Sequence, residues 1–339
     1  MFKIVEPKRF DIYIEDVQLR SDEVLIKVDY ATICKADLRY YEGARNPRLL
    51  SLKYPMSLLH EATGIVLRDP QGIFKPNTRV VMIPNRVEKK QCEHCVCDDP
   101  LLGENYCPDA KFASSNCDGF SKEIISYPSK YIIAVPASIP NHYAVFSEML
   151  SVAISTVRRI TISQRTIAIW GDGVLGFFVA AVARFMYKHH RIVAIGKHPD
   201  KLKKFPVDQY YIIGEPIIEQ IGLAFECVGG KSAASAIAQI LELIKVGGEI
   251  VLTGVTEEEV PISTRKVLEK GLRLNGVTRS QRADFEQALQ MLQNEEIIKL
   301  IDSLVLSDND ITSITEFYHV FEKELSNKEL GKHLLHFKL

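Results

Sequence analysis

The sequence predicts a two-domain α/β protein, in which a β-rich, barrel-like domain precedes a doubly wound parallel sheet with helices on both faces. Three observations support this prediction. The chain has 339 residues, which is longer than a single typical core accommodates. Short β-patterned runs fill the first 150 residues. From about residue 166, apolar strands alternate with helical stretches, as in parallel sheets.

The first domain is predicted from short β-patterned runs that are separated by turn signals such as Ser21-Asp22 and Asp69-Pro70. The predicted strands are Phe10–Ile14, Glu23–Tyr30, Gly64–Leu67 and Arg79–Ile83. The tail GKHLLHFKL reads as one more strand. We therefore assign residues 1–150 and 295–339 to this domain.

The second domain is assigned to residues 151–294. Its predicted strands are Thr166–Trp170, Arg191–Ile195, Gln209–Ile213, Leu223–Val228, Glu249–Val255 and Leu272–Val277. Helices are predicted here and towards the end of the chain at Val174–Tyr187, Lys231–Ile244, Asp284–Gln293 and Thr315–Leu325. This alternation is typical of an open parallel sheet.

Composition narrows the class of protein. Hydrophobic residues make up 46% and charged residues 25% of the chain, and the net charge is −1, which is typical of a globular enzyme and disfavours binding to nucleic acid. The longest apolar stretch, Val174–Met186, is interrupted by Arg184 and is shorter than the ~20 residues that span a bilayer. Without an apolar leader in MFKIVEPKRF, we expect a cytoplasmic protein with no membrane partner and with cysteines present as thiols or metal ligands.

A glycine motif indicates a dinucleotide site. GDGVLG places Gly171, Gly173 and Gly176 in GxGxxG spacing, with Val174 and Leu175 between them. The motif follows a predicted strand and opens a predicted helix, where these glycines permit a tight turn, a close approach of the pyrophosphate and helix packing. The free N–H groups of the helix would then face the phosphates. The alternative is a glycine turn that binds no ligand.

The end of the second predicted strand favours NADP(H) over NAD. An NAD site carries an acidic residue about 20 positions after the motif, and here the strand ends in Gly196-Lys197. A glycine leaves room for a 2′-phosphate, and a lysine can pair with it. The alternatives are that Asp200 serves an NAD ribose, or that the loop is merely solvated.

Three stretches of the first half, ATICKADLRYYEG, LLHEATG and SEMLSVAIST, resemble in type and order the zinc-dependent medium-chain dehydrogenase/reductase family. The resemblance extends over the whole chain. It implies a GroES-like β-barrel catalytic domain joined to a Rossmann domain. It also implies hydride transfer between a nicotinamide cofactor and an alcohol or ketone.

The same resemblance implies a catalytic zinc site. Cys34, His60 and Glu148 would be ligands, and Glu61 a fourth ligand or an exchangeable neighbour. Asp37 would orient the ligating histidine. Zinc accepts thiolate, imidazole and carboxylate donors, and a ligating histidine commonly donates its second N–H to a carboxylate. Taken singly, the cysteine or histidine could be a core residue and Glu148 a surface residue.

The chain departs from the family pattern at three positions. Ala36 stands where the family often has Ser or Thr to relay a proton, so water or a nearby group such as Tyr40 or Tyr41 must serve. Leu59 replaces the glycine before the histidine, and Met149 replaces the proline after the glutamate. These changes indicate a divergent branch.

A cysteine cluster resembles the structural-zinc lobe of the family. Its members are Cys92, Cys95, Cys97 and Cys107. The interval between the second and third cysteines is shorter than usual, and the interval between the third and fourth is longer. Four thiolates can complete a tetrahedral zinc site. The alternative is a reduced loop without metal. Cys117 and Cys227 are interpreted as ordinary thiols.

Longer stretches resemble one branch of the family, the bacterial ribulose-5-phosphate reductases. They are ICKADLRYYEG, YPMSLLHEATG, IWGDGVLG, FECVGG and RKVLEKGLRLNG. The resemblance implies reduction of D-ribulose 5-phosphate to D-ribitol 5-phosphate by NADPH. The product would feed CDP-ribitol for teichoic acid or capsule synthesis. A homo-oligomer and a cytidylyltransferase partner would also be expected.

The substrate phosphate requires cations, for which Arg39, Arg45 and Arg279 are the first candidates, although each has the alternative of an ordinary surface arginine. Two other functions are alternatives. One is a sorbitol- or galactitol-phosphate type of dehydrogenase. The other is a zinc-ribbon nucleic-acid binder, which the net charge and the glycine motif disfavour.

Overall fold

The chain forms two units, as seen in a computed structural model that describes residues 1–87, 96–161 and 166–339. Unit 1 comprises Met1–Ser151 together with Ser280–Leu339. Unit 2 comprises Val152–Arg279. Unit 2 is therefore inserted between the two segments of unit 1.

Strands and helices follow one another along the described part of the chain. In chain order the strands are β1 (Phe2–Glu6), β2 (Arg9–Ile12), β3 (Glu23–Thr32), β4 (Met56–Ser57), β5 (Glu61–Arg68), β6 (Arg79–Met82), β7 (Asn85–Val87), β8 (Ala110–Phe112), β9 (Ile124–Pro128), β10 (Ile132–Ala134), β11 (Thr166–Trp170), β12 (Arg191–Gly196), β13 (Gln209–Ile212), β14 (Leu223–Glu226), β15 (Glu249–Leu252), β16 (Arg273–Gly276), β17 (Val305–Ile311) and β18 (Lys332–Phe337).

The helices are α1 (Lys35–Tyr41), α2 (Pro47–Lys53), α3 (Asn141–Ala144), α4 (Ser147–Arg158), α5 (Val174–Met186), α6 (Pro199–Leu202), α7 (Ala233–Leu243), α8 (Thr264–Lys270), α9 (Arg282–Met291), α10 (Glu295–Asp302) and α11 (Ile314–Ser326). Short 3-10 helices occupy Gly103–Tyr106, Ser129–Tyr131 and Gly230–Ser232. No helix in the described part of the chain combines the length and the apolar character needed to cross a membrane.

Unit 1 is built on a sheet with the order β10-β6-β5-β3-β18-β17, in which β9 also pairs with β3. β3 alternates buried and partly buried residues along most of its length, as expected of a strand with one face on the core. The tail of the chain forms β18, which lies antiparallel to β3 with Leu334 opposite Thr32. The last strand thus joins the sheet that contains β3.

Unit 2 contains a parallel sheet with the order β13-β12-β11-β14-β15-β16. The direction of winding reverses between β11 and β14, and this order is typical of dinucleotide-binding sheets. Every residue of β11 is buried, because helices cover both faces of such a sheet. Trp170 at its end is fully buried, and its Nε1 donates to Gln239 Oε1 at 2.8 Å.

Two features differ from the sequence-based expectations. The second domain ends at Arg279 and not at 294, because α9 is held by unit 1, where Arg282 donates to the carbonyls of Lys130 and Ile132 at 2.7 and 3.1 Å. β17 had no predicted counterpart. Its sequence VLSDNDI is polar and only its last residue is buried, so its pattern is that of a loop.

Candidate active site

Cys34 caps the N-terminus of α1 and is partly exposed. Its backbone N–H donates to Oδ2 of Asp37, three residues later, at 2.9 Å. This bond satisfies a free N–H of the first helical turn. It also places the Cys34 side chain beside the fully buried Asp37.

Asp37 links three chain segments through its second oxygen. Oδ1 accepts from the Leu59 N–H at 3.1 Å and from the Ser114 hydroxyl. It also lies 3.6 Å from Nδ1 of His60. Burial alone would raise the pKa of Asp37, but the nearby His60 holds it below its ordinary value. Asp37 therefore has the position expected of the carboxylate that orients the histidine.

His60 directly precedes β5 and is buried, with its ring 5.3 Å from that of Phe112. Burial alone would lower the pKa of His60, but the Asp37 carboxylate and Cys34 raise it well above its ordinary value. The preceding residue, Leu59, has a φ of +73°. A non-glycine residue here keeps the left-handed backbone for which glycine is best suited.

Potential metal-ligating atoms of Cys34, His60 and Glu61 lie within 4.8 Å of one another. Glu61 is completely buried, and its Oε1 has no hydrogen-bond partner among the described residues. A buried carboxylate oxygen without a partner is costly. A thiol, an imidazole and a carboxylate form a donor set that suits zinc, so these residues fit a catalytic zinc ion.

Lys332 is a residue of this site that sequence reasoning missed. It lies on β18, is buried, and donates from Nζ to the Ile33 carbonyl at 3.2 Å and to Oε2 of Glu61. The Thr32 hydroxyl donates to the same oxygen. Burial alone would lower the pKa of Lys332, but Glu61 and Cys34 raise it. The pairing occupies one oxygen of Glu61 and leaves the other for a metal.

Glu148 lies near these residues but outside the group of three. It is a buried residue in the first turn of α4, and the described donors within 4.8 Å of one another do not include it. Burial raises the pKa of Glu148 to about 7 despite the nearby His60. The structure therefore brings Glu61 into the donor group and keeps Glu148 beside it.

The predicted structural-zinc lobe is described only in part. Cys92 and Cys95 lie outside the described residues. Cys107 is reduced and buried in a small apolar cluster, and Cys97 packs against that cluster. Cys97 is disulfide-bonded, so it would have to be reduced before it could bind zinc as a thiolate. The four-cysteine site stays a prediction.

The glycine motif has the geometry that its spacing predicts. Gly171 has a φ of +121°, and a Cβ here would stand 2.8 Å from the carbonyl oxygen of Cys227. A Cβ at Gly176 would meet the carbonyl of Gly171. Gly173 caps α5 and has open space around it, which permits the close approach of a pyrophosphate. The first two residues of α5, Val174 and Leu175, are partly exposed.

The second strand of the sheet ends at Gly196 and continues into the exposed Lys197. The Lys197 ammonium donates to Oγ of Ser232 at 3.2 Å. Asp200, the alternative for an NAD ribose, has a side chain that is 95% exposed and pairs with Lys203 at 3.3 Å. The turn after β12 therefore has a cation available for a 2′-phosphate, and Asp200 is directed to solvent.

The substrate-phosphate candidates lie in different units. Arg39 and Arg45 belong to unit 1 and are partly buried, whereas Arg279 is the last residue of unit 2. The Arg45 guanidinium lies 4.2 Å from the centre of the Tyr40 ring.

Tyr41 is a candidate for the proton relay. It is buried, and its hydroxyl donates to the Glu322 carboxylate at 2.6 Å, so this hydroxyl already has an acceptor.

Comparison with known proteins settles the family. Residues 20–137 match the alcohol dehydrogenase GroES-like domain, and residues 174–294 match the zinc-binding dehydrogenase domain. The chain belongs to the family of zinc-binding alcohol dehydrogenases. The fold class expected from the resemblance, a GroES-like domain with a Rossmann domain, is thereby confirmed.

Members of this family include similar proteins with named activities. The ribulose-5-phosphate reductase of Bacillus spizizenii is 36% identical over 96% of this chain and 95% of its own length. That of Streptococcus pneumoniae is 33% identical over 96% and 94%. The crystal structure of Staphylococcus aureus TarJ in complex with NADPH has a TM-score of 0.86 and 32% identity, and the match covers 100% of this chain and 98% of that one.

Proposed function

We propose that this protein reduces D-ribulose 5-phosphate to D-ribitol 5-phosphate with NADPH as the hydride donor. The observation that carries the proposal is the donor group of the partly exposed Cys34 and the buried His60 and Glu61 in a chain that is 36% identical to a ribulose-5-phosphate reductase. Lys197, in the turn after β12, can pair with a 2′-phosphate and therefore supports NADPH as the cofactor.

Some residues of the proposed site bind zinc or the cofactor, and others orient the ligands. Zinc, when bound by Cys34, His60 and Glu61, supplies a Lewis acid for the C2 carbonyl oxygen, and NADPH supplies the hydride. Asp37 keeps the His60 ring in place, since its other bonds anchor it to α1 and to the Leu59 backbone. The glycine motif would hold the pyrophosphate at the start of α5.

The proposal includes two further roles. Ala36 has no hydroxyl, so we propose that the proton reaches the C2 oxygen through water. Glu148 is proposed as a ligand in the family pattern, although its carboxylate lies outside the donor group. We further propose that the reaction occurs in the cytoplasm, that the enzyme is a homo-oligomer, and that its product supplies a cytidylyltransferase for teichoic acid or capsule synthesis.

The test is a comparison of initial rates with phosphorylated and free substrates. We expect kcat/KM for ribulose 5-phosphate to exceed that for ribulose at least about 100-fold, because a remote phosphate supplies binding energy that orients the reacting carbon. NADPH should be preferred over NADH, and a chelator should abolish turnover. Sorbitol 6-phosphate and galactitol 1-phosphate, assayed with NADP⁺, test the alternative dehydrogenase.

Arg45→Gln tests the phosphate site. It should lower kcat/KM for ribulose 5-phosphate about 10-fold or more and leave free ribulose nearly unchanged, because a charged hydrogen bond contributes about 1.5–3 kcal/mol. Arg48→Gln is the matched control, since Arg48 is an exposed arginine three residues away. Arg39→Gln and Arg279→Gln complete the set. Similar kcat/KM values for ribulose and its phosphate in the wild type would contradict the substrate assignment.

A further inference from the structure

Three loops meet the same edge of the unit 2 sheet, because they follow the neighbouring parallel strands β12, β11 and β14. Asp172, the second residue of the glycine motif, ties the first two loops together. Its Oδ2 accepts from the backbone N–H groups of Lys197 and His198 at 2.7 and 2.8 Å, and lies 2.9 Å from Nδ1 of His198. The Lys197 side chain reaches Ser232 in the third loop.

The Asp172 carboxylate is built into this turn and is not a surface charge. Its side chain is 18% exposed. Burial alone would raise the pKa of Asp172, but the backbone N–H groups of His198 and Lys197 hold it below its ordinary value. The carboxylate is therefore ionised at neutral pH, and three donors converge on one of its oxygens.

Gly196 is the residue that this arrangement requires. A Cβ at position 196 would stand 2.7 Å from Cβ and 2.9 Å from Oδ2 of Asp172, which is closer than real Cβ atoms approach other heavy atoms. An acidic residue at the end of the second strand is what an NAD site uses to bind the ribose hydroxyls. With Asp172 in place, no side chain fits at 196 unless the Asp172 side chain or the backbone of residue 196 shifts.

We propose that Asp172 is a positioning residue that determines the choice of cofactor. It holds the Lys197 and His198 backbone so that their side chains stand where the 2′-phosphate binds, and it occupies the space that an NAD-type acid at 196 would need. This inference rests on the proposed NADPH site at Lys197. The opposite effect, repulsion of the 2′-phosphate by the Asp172 carboxylate, is the competing outcome.

The first test measures the dissociation constants of NADPH and NADH by fluorescence for the wild type, Asp172→Asn and Asp172→Ser. We expect NADPH to bind about 5–10-fold more weakly to both variants, which corresponds to loss of one or two hydrogen bonds. The dissociation constant of NADH should change less than about 2-fold, because NADH has no 2′-phosphate through which it could contact the turn. The dissociation constant of 2′,5′-ADP should change as that of NADPH does, and the dissociation constant of 5′-AMP should change as that of NADH does.

Asp200→Asn is the matched control, since it removes the same charge from α6, which follows the Lys197-His198 turn, at a side chain that is 95% exposed. It should leave both constants unchanged. Unchanged or tighter NADPH binding by Asp172→Asn would overturn the proposal, as would an equal loss for both cofactors, which would indicate a purely structural role. Thermal unfolding checks that the variants are folded.

A second test uses the pairing of positions 172 and 196. Gly196→Asp alone should weaken both cofactors, because its Cβ collides with Asp172. Asp172→Gly combined with Gly196→Asp removes the collision and should restore NADH binding above that of Gly196→Asp alone; additive losses would contradict the proposal. Lys197→Ala tests the proposed NADPH site separately from the role of Asp172. If it leaves NADPH binding intact, the proposed cofactor site fails, whatever Asp172 does.

Discussion

Leu59 shows how a single residue can keep a backbone conformation that its side chain disfavours. It has a φ of +73° and is fully buried. Its N–H donates to Asp37 and its carbonyl accepts from the Phe120 N–H at 2.8 Å. Both backbone groups are thus hydrogen-bonded, which offsets the ~1–2 kcal/mol that a left-handed residue costs.

The prediction for Leu59 reverses the usual order of two substitutions. At ordinary positions alanine is more stable than glycine, by up to about 1 kcal/mol. Leu59→Ala and Leu59→Gly both lose the buried side chain, but only glycine relieves the left-handed strain. Leu59→Gly should therefore be the more stable variant by about 1 kcal/mol, measured by urea unfolding. A more stable alanine variant would show that the backbone here is not strained.

The residues of the site were predictable from sequence to different degrees. Cys34, His60, Glu61 and Asp37 occur in motifs whose order resembles a known family, and the structure brings them together. Lys332 gave no such signal, because it pairs with Glu61 across 271 positions. Chain folding, and not local pattern, creates that contact.

At the scale of elements, β18 has two roles. It completes the sheet of unit 1 by pairing with β3 and β17, and it carries Lys332 to the buried Glu61. The strands that are buried on both faces, such as β11, were predictable from apolar runs. β17 was not, because a polar strand that pairs through its backbone leaves no hydrophobic pattern.

The Lys332–Glu61 pair should respond to substitution as a unit. Lys332→Met leaves a buried carboxylate without its cation and should destabilise unit 1 by about 3–5 kcal/mol. Adding Glu61→Gln removes the remaining charge and should recover part of that loss. Urea unfolding in the presence of a chelator measures both without a contribution from metal binding.

Lys338→Met is the control for the pair, since Lys338 is an exposed lysine just after the same strand and pairs with Asp310 at 2.7 Å. It should change stability by less than about 1 kcal/mol. If the two lysine substitutions lowered the free energy of unfolding equally, the buried pair would contribute no more to stability than the exposed one. A double variant that is no more stable than Lys332→Met would also contradict the prediction.

At the scale of the whole molecule, the metal content distinguishes the two predicted zinc sites. Reduced protein purified without chelator should contain about two zinc ions per chain, one for the donor group and one for the cysteine lobe. Cys34→Ala should retain about one zinc ion and lose turnover, because the lobe does not depend on that thiolate. Elemental analysis together with initial rates provides the measurement.

Cys117→Ala is the matched control, since Cys117 is a partly exposed, reduced cysteine that neither predicted site includes. It should keep both metal ions and full turnover. Wild-type protein with a single zinc ion that Cys34→Ala removes would eliminate the structural site. Protein without any zinc would contradict both sites.

The insertion of unit 2 between the two segments of unit 1 has a consequence for synthesis on the ribosome. The β3 strand emerges early, but its partner β18 follows only after all of Val152–Arg279. Nascent unit 1 must therefore leave the end of β3 that pairs with β18, residues 30–32, without that partner while the parallel sheet is being made, and exposed edges invite pairing with other chains. The cofactor-binding unit, although second in the sequence, is the first whose strands can all find their partners.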